Sequence, residues 1–256
     1  MSRKAFAMCP SRWVKVRKAP PDEIAIEGPP GPKLSPKEES ERLVEDAPGP
    51  GLHHLAWQQH KGAGTAALLV LFALAILSNQ AQRKLGRRKD NRVQATYDEL
   101  MAMANLSRAY VSKGLTLLEE MGAITRAKEG NRGVYELVGI DKPGHWCELP
   151  QQHLLNGTAR MRLLDICNQQ IKRASSLHAL KLYMVLLAFR NGRDNVARLG
   201  YPTIQLYTGL RREDIALAVN ILSAAGLCKV ARDDEVTLIK GQRNHNRYIM
   251  LGLAAS

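Results

Sequence analysis

The most apolar part of the chain is an unbroken run from residue 66 to residue 77, AALLVLFALAIL. A helix that spans a membrane needs about 20 apolar residues. This run is shorter, and polar residues flank it, with Lys61 before it and Ser78 and Gln80 after it. The pattern therefore predicts a core helix that is buried on every side.

The apolar pattern beyond residue 62 occurs twice, with the copies 104 residues apart. Tyr97 matches Tyr201 at the start, and Gly122 matches Gly226 at the end. The matching positions between them are apolar and recur at helical spacing: Leu100 with Ile204, Leu106 with Leu210, Val111 with Ile215, Leu115 with Val219, Leu117 with Ile221, and Leu118 with Leu222. Two unrelated amphipathic helices would rarely align at the terminal glycine as well, so the match indicates a shared architecture.

Each copy predicts the same order of elements. The first copy predicts an apolar helix over 66–79, an extended piece over 93–95, helices over 97–104 and 107–121, and strands over 123–128 and 133–138. The second copy predicts the corresponding segments over 177–191, 196–199, 202–207, 211–225, 227–231 and 236–240, with a further extended segment over 247–251. Ser107 is a natural N-cap, and Gly122 and Gly226 suit a left-handed C-terminal cap.

Residues 1–61 lack this period and are rich in proline and glycine, so we expect a mostly disordered tail. The piece from Ser11 to Arg17 alternates apolar and basic residues, which fits a strand, a docking peptide or an unstructured basic arm. The remaining organisation that we predict is a first domain over 62–140, a structured connector over 141–174 with a helix over 159–171, and a second domain over 175–256.

The order of helix, strand, helix, turn, helix and hairpin resembles the winged helix-turn-helix. In the first copy the segments YDEL, ANLSRAYVSKGLTLLEEMGAI and a glycine-centred hairpin carry the resemblance, and in the second copy YPTIQLYTGLRREDIALAVNILSAAGL does. The resemblance implies a mainly α fold with small β-hairpins, in which two tandem winged-helix domains follow the disordered N-terminal tail. Tandem units are similar to plasmid and phage replication initiators, in which one unit dimerises and the other binds repeated origin sites, and to winged-helix transcriptional regulators.

The charge of the chain favours a polyanionic partner. Lys and Arg total 37 against 24 acidic residues, which gives a formal charge of +13 and a pI near 9.8. Such an excess attracts nucleic acids and speeds association with them. A basic surface that is merely solvated would have the same composition, so charge alone leaves both interpretations open.

The resemblance places the second helix of each turn unit in the major groove of DNA. In the first copy the apolar period turns Val111, Leu115 and Leu118 inward, which leaves an outer face with an arginine that could pair with guanine. Ser107 could contact DNA or act only as a cap. The DNA-binding residues that we predict in this copy are Ser107, Arg108, Tyr110, Ser112, Lys113, Arg126, Lys128, Asn131 and Arg132.

The second copy predicts a weaker DNA-binding surface or a protein-contact surface. Glu213 and Asp214 on its longer helix oppose phosphate, and Leu217 faces outward. Its basic candidates are Arg211, Arg212, Lys240, Arg243, Asn244, His245 and Arg247. A third basic cluster, Arg87, Arg88 and Lys89, could flank DNA as an arm or keep a surface loop soluble.

No motif in the sequence indicates catalysis, and we expect no enzyme activity, no metal and no cofactor. Phosphate loops, nucleophile elbows and HExxH motifs are missing from the sequence. The four cysteines form no CxxC pair, which is typical of a reducing cytoplasm. We therefore expect a cytoplasmic, bacterial-nucleoid-associated protein that binds double-stranded DNA, possesses no membrane anchor and could form a homodimer. It would act as a transcriptional regulator or a replication initiator, or alternatively as a protein-docking factor with little DNA specificity.

Overall fold

The computed structural model describes residues 6–15, 51–85, 91–129, 132–140, 145–155, 171–231 and 246–253. Helices account for about 54% and strands for about 22% of the structure, and the strands form small antiparallel sheets. The fold is therefore mixed α/β. The expectation of a mainly α protein underestimated the strands, because three short sheets accompany the helices in the described part of the chain.

The secondary structure elements have the following bounds. The helices are α1 Trp57–His60, α2 Gly62–Leu85, α3 Tyr97–Ala104, α4 Arg108–Glu120, α5 Gln151–Leu155, α6 Ala174–Ala188, α7 Tyr201–Thr208 and α8 Arg212–Ala224. The strands are β1 Ala7–Pro10, β2 Arg92–Ala95, β3 Ile124–Glu129, β4 Arg132–Leu137, β5 Trp146–Leu149, β6 Val196–Leu199, β7 Cys228–Ala231 and β8 Asn246–Met250. Short 3₁₀ turns occupy Trp13–Lys15 and Leu52–His54.

The first unit comprises α2, α3, α4 and a three-stranded sheet in the order β2-β4-β3. A capping box fixes the start of α3, because the Glu99 amide donates to Thr96 Oγ1 at 3.2 Å and the Thr96 amide donates to Glu99 Oε2 at 2.7 Å. In the hairpin, β3 ends at Glu129 and β4 begins at Arg132, and these two residues are cross-strand partners. The strands thus reach one residue further towards the turn than the sequence pattern predicts.

The second unit comprises α6, α7, α8 and a sheet in the order β6-β8-β7. The structure confirms the further extended segment predicted over 247–251, because residues 246–250 form β8, which pairs with β7. The predicted strand over 236–240 lies outside the described residues. Because β8 also pairs with β6, it is the central strand of the sheet.

The structure confirms the internal repeat along the helices. Helices α3 and α7 have eight residues each, α4 and α8 have 13 each, and each pair starts 104 residues apart. Gly122 and Gly226 follow α4 and α8 with φ of +64° and +67°. A side chain at either position would strain the backbone, which explains why glycine ends both helices.

The core joins the two units around α2 and α6. As the apolar run predicts, every side chain from Ala66 to Ile76 is fully buried. By length and composition Gly62–Ala81 could cross a membrane, but 83% of that stretch is buried within the protein. The ring of Phe72 on α2 meets the ring of Tyr183 on α6 edge to face, with centroids 6.1 Å apart. The first unit therefore packs directly against the second.

Parts of the predicted tail over 1–61 belong to the core, namely the described residues 6–15 and 51–61. Strand β1 pairs antiparallel with β5 of the connector, and Trp13 and Val14 are buried. Leu55 is also buried, and its carbonyl oxygen accepts a hydrogen bond from Lys181 Nζ at 3.1 Å. Residues 16–50, and nearly all of the helix predicted over 159–171, lie outside the described residues.

Candidate nucleic-acid interface

Helix α4 presents the outer face that the apolar period predicts. Val111, Leu115 and Leu118 are fully buried. The residues on the opposite side are all exposed: Arg108, Ala109, Ser112, Lys113 and Thr116. The first turn of α4 carries no acidic residue, so the partial positive charge of the helix N-terminus adds to the charge of the side chains there. This end of the helix is a favourable place for an anion.

Arg108 is held in place by an aromatic ring. Its guanidinium carbon lies 4.9 Å from the centroid of the Tyr97 ring. A guanidinium that stacks on a ring uses its flat face, so the N–H donors along its edge stay available for a second partner. The stack also limits the rotamers of a long side chain, which lowers the entropy lost when that side chain binds a base.

The second unit repeats this stack. The guanidinium carbon of Arg212 lies 5.6 Å from the ring centroid of Tyr201. The arginines and the tyrosines are each 104 residues apart. Sequence reasoning matched the tyrosines but missed their role beneath the arginines. The common offset of both residue types was the signal that could have revealed it.

The two residues at the start of α4 behave differently from each other. Ser107 is the N-cap residue and is exposed, but its side chain makes no capping hydrogen bond. Its hydroxyl can therefore serve a ligand. Tyr110 is half-buried and packs against α2, since a Cβ atom added at Gly62 would lie 3.1 Å from its ring. Its ring therefore has a packing role, and the contact of Tyr110 with DNA stays a prediction.

The hairpin carries two exposed basic side chains and one basic side chain that is paired with a carboxylate. Lys128 on β3 and Arg132 on β4 are exposed. Arg126 is engaged with Glu119 of α4, whose Oε2 accepts from Arg126 Nε at 2.7 Å. This ion pair fixes the hairpin against the helix, and it largely neutralises a side chain that we predicted to contact DNA. Asn131 lies outside the described residues.

The second unit offers fewer available cations than the sequence suggested. Arg211 is exposed, but its Nε lies 3.1 Å from Asp214 Oδ2 and 3.3 Å from Glu213 Oε1. The hydrogen bond with Asp214 raises the pKa of Arg211 above its ordinary value. Arg247, another predicted basic candidate, is half-buried in the central strand β8, opposite Arg198 and Ala231. Among the described basic candidates of this unit, Arg212 keeps the clearest outward position.

Several predicted positions lie outside the described residues. They are Arg87, Arg88, Lys89, Lys240, Arg243, Asn244 and His245. In the part of the chain that the structure describes, no group of three or more His, Cys, Asp or Glu side chains could hold a metal ion.

A cavity of about 250 Å³ lies beside the start of α8, between residues 53–58 and α6. His178 and Asp214 line it, with Nδ1 and Oδ1 3.5 Å apart. Burial lowers the pKa of His178 below its ordinary 6.5, although the Asp214 carboxylate acts in the opposite direction and Lys181 and Arg211 reinforce the lowering. The folded protein therefore favours the neutral imidazole.

We expect acid to destabilise the fold through His178. Because its pKa is lower in the folded than in the unfolded chain, the unfolded state binds the proton more readily. The stabilising contribution is complete above about pH 6.5 and is lost as the pH falls from that value towards the lower pKa of the folded protein. Thermal unfolding from pH 8 to pH 5 should show a smaller acid-induced decrease in Tm for His178→Gln than for the wild type. The exposed His54→Gln is the control, and equal slopes for all three proteins would contradict this assignment.

No protein-family model matches this chain, and no curated protein sequence matches it.

Proposed function

We propose that this chain binds double-stranded DNA in a sequence-specific manner through two tandem winged-helix units, and that the first unit makes the base contacts. The observation that carries the proposal is the outer face of α4. It exposes Arg108, Ser112 and Lys113 above a fully apolar inner face, and its two acidic residues, Glu119 and Glu120, lie at the far end of the helix. The two carboxylates of α4 are therefore separated from its basic end along the helix.

The arrangement of elements supports this proposal. Helix, strand, two helices joined by a short turn, and a hairpin follow one another in both units, and the strand before the helices adds to the hairpin in both. In winged-helix proteins this order presents one helix to the major groove and the hairpin to the flanking backbone. The major groove of B-DNA is about 12 Å wide and admits a helix.

The contacts that we propose follow from the exposed side chains. Arg108, oriented by Tyr97, would donate two hydrogen bonds to O6 and N7 of a guanine. Ser112 and Lys113, one turn further along α4, would contact neighbouring bases or phosphates. Lys128 and Arg132 on the hairpin would contact the phosphate backbone, which contributes affinity and register but no sequence information.

The first experiment measures binding of the full chain to duplexes selected from random sequence, over a series of salt concentrations. We expect Arg108→Ala to weaken binding to the preferred site by about 1–3 kcal/mol, which is roughly fivefold to more than a hundredfold, with little change on random duplex. Lys113→Ala should weaken binding to both duplexes if Lys113 contacts phosphate, and should reduce the slope of log affinity against log salt by about 1.

Arg193→Ala is the matched control, because Arg193 is an exposed arginine of the second unit, in the segment between α6 and β6. It should retain the site preference of the wild type. If Arg108→Ala and Arg193→Ala have equal effects, α4 makes no base contacts. If the wild type binds duplex no better than any basic protein of similar charge, the proposal fails as a whole.

Two biological roles are compatible with this activity, a transcriptional regulator and a replication initiator of a plasmid or phage-like element. The selected site distinguishes them. A palindrome that overlaps a promoter would favour the regulator, and directly repeated sites in an origin would favour the initiator.

The second candidate function is protein docking with little DNA specificity. It is favoured by one observation in the second unit, where Leu217 and Val230 are 48% and 41% exposed. This surface has a different chemistry from the outer face of α4.

A further inference from the structure

Two cysteines face each other across the small sheet that joins the N-terminal segment to the connector. Strand β1 pairs antiparallel with β5, and Cys9 lies directly opposite Cys147 in their register. Ala7 and Cys9 are buried on β1, and Cys147 and Leu149 are buried on β5. Because side chains along a strand alternate between its two faces, these four residues share one face of the sheet. Both thiols therefore point into the core at the same level of the ladder.

The two thiols are already in contact. They share a hydrogen bond, and burial together with the neighbouring Cys147 raises the pKa of Cys9 well above its ordinary value. Opposite Cα atoms in an antiparallel pair are about 4.5–5.5 Å apart, and a disulfide needs a Cα separation of roughly 4.4–6.8 Å. The backbone of the two strands is therefore already at a separation that a disulfide accepts.

The third described cysteine has a different environment. Cys228 on β7 lies opposite Met250 of β8, and its thiol is 3.8 Å from the hydroxyl of Ser223. Among the described residues, Cys9 and Cys147 are the only cysteines that are cross-strand partners. Cys167 lies outside the described residues.

A bond between Cys9 and Cys147 would connect the two units across their shared core. Strand β1 packs against α2 of the first unit, and β5 packs against α6 of the second. The two cysteines are 138 residues apart along the chain. A disulfide that closes so long a loop removes much of the conformational freedom of the unfolded chain. The bond would therefore stabilise the junction at which the units meet.

We propose that Cys9 and Cys147 form a reversible disulfide by exchange with a small-molecule disulfide such as oxidised glutathione, and that they remain two thiols in a reducing cytoplasm. The proposal does not depend on DNA binding, because both cysteines lie outside the candidate nucleic-acid interface.

The exchange takes place in two steps. Cys147 is 6% exposed and Cys9 is fully buried, so we assign the first attack to Cys147. Its thiolate attacks one sulfur of oxidised glutathione, which gives a mixed disulfide and releases one glutathione. The thiolate of Cys9 then attacks the Cys147 sulfur and releases the second glutathione. Two protein thiols are oxidised to one disulfide, and their two protons are taken up as oxidised glutathione is reduced to two thiols.

Burial controls how fast the pair reacts. A buried, protonated thiol is a poor nucleophile, so exchange requires β1 to separate from β5. A two-stranded sheet is only marginally stable by itself, and we expect it to open locally before the whole chain unfolds. Linkage should therefore be slow in buffer and faster at urea concentrations below the unfolding transition.

The test equilibrates the full chain, without DNA and in such a low urea concentration, with glutathione buffers that range from fully reduced to fully oxidised. The remaining thiols are then alkylated, and the protein is analysed by intact mass and by peptide mapping without reductant. The oxidised chain should lose the mass of two hydrogen atoms, and the peptide with Cys9 should be linked to the peptide with Cys147. After removal of urea, Tm should be about 5–10 °C higher than for the reduced chain. Dithiothreitol should reverse both changes.

Two alanine variants provide the matched comparison. Cys9→Ala should lose the linkage and the rise in Tm, whereas Cys228→Ala, which removes another buried thiol, should keep both. Peptide mapping of the wild type tests the geometry even if a variant fails to fold. The proposal is overturned if no linkage forms in any of the buffers, or if the linkage joins two chains or involves Cys228 or Cys167. An equal rise in Tm for Cys9→Ala would also overturn it.

Discussion

Replacing Phe72 with alanine should lower the free energy of unfolding of the whole chain by about 3–5 kcal/mol. Phe72 is fully buried on α2, and its ring meets Tyr183 of α6 edge to face. Removing the ring leaves a cavity where the first unit packs against the second, and the surrounding helices can relax only partly. Because both units share this contact, we expect both to lose stability in a single cooperative transition. Urea unfolding followed by far-UV and near-UV circular dichroism measures the effect.

Phe6→Ala is the matched control for this substitution. Phe6 stacks on Trp146 with centroids 6.4 Å apart but is 38% exposed, so its replacement should lower stability by less than about 1 kcal/mol. Two separate transitions, of which only one shifts in Phe72→Ala, would show that the units unfold independently. An equal effect of both alanine substitutions would contradict the central position of Phe72 in the core.

Gly114→Val should destabilise the first unit by about 3 kcal/mol, at the upper end of what overpacking a core produces. A Cβ atom at Gly114 would lie 3.0 Å from the carbonyl carbon of Ala66 and from the amide nitrogen of Ala67. These are backbone atoms of α2, which cannot rotate away as a side chain can. A valine would therefore push α4 away from α2. Thermal and urea unfolding measure the loss of stability.

DNA binding provides a second readout for the same variant. Since α4 carries the proposed base contacts, Gly114→Val should also reduce the preference for the selected site while leaving the salt-dependent binding to random duplex largely in place. Thr116→Val, a similar substitution at an exposed position of the same helix, should change stability by no more than about 0.5 kcal/mol. If the two valine variants were equally stable, the close approach of α4 to α2 would be contradicted.

The sequence was most informative where a helix repeats one pattern over several turns. The buried run in α2 and the inward positions Val111, Leu115 and Leu118 of α4 followed from the 3.6-residue period, because burial on one side of a helix selects apolar residues at that spacing. The common offset of the two copies, together with Gly122 and Gly226, located the ends of α4 and α8 within one or two residues. These features depend on neighbours along the chain.

The strands were less predictable, because a strand of four or five residues carries too little periodicity to identify its partner. The sequence pattern predicted the extended segment that forms β8, but it did not identify β6 and β7 as the two neighbours of that strand. Likewise β1 pairs with β5, about 140 residues away along the chain. Nothing local in residues 7–10 indicates that partner, so the sequence did not predict this strand pair.

The sequence by itself determined which residues are basic, which helix faces are apolar and that the chain contains two related copies, since composition and helical period are local properties. Only the tertiary structure decided which of the basic side chains remain available to a ligand. Arg126 is held by Glu119, Arg211 by Asp214, and Arg247 is half-buried in a central strand, whereas Arg108 extends over Tyr97. The energy of a charged group depends on the counter-ions, rings and burial that surround it in space, and the fold brings these together from distant parts of the chain.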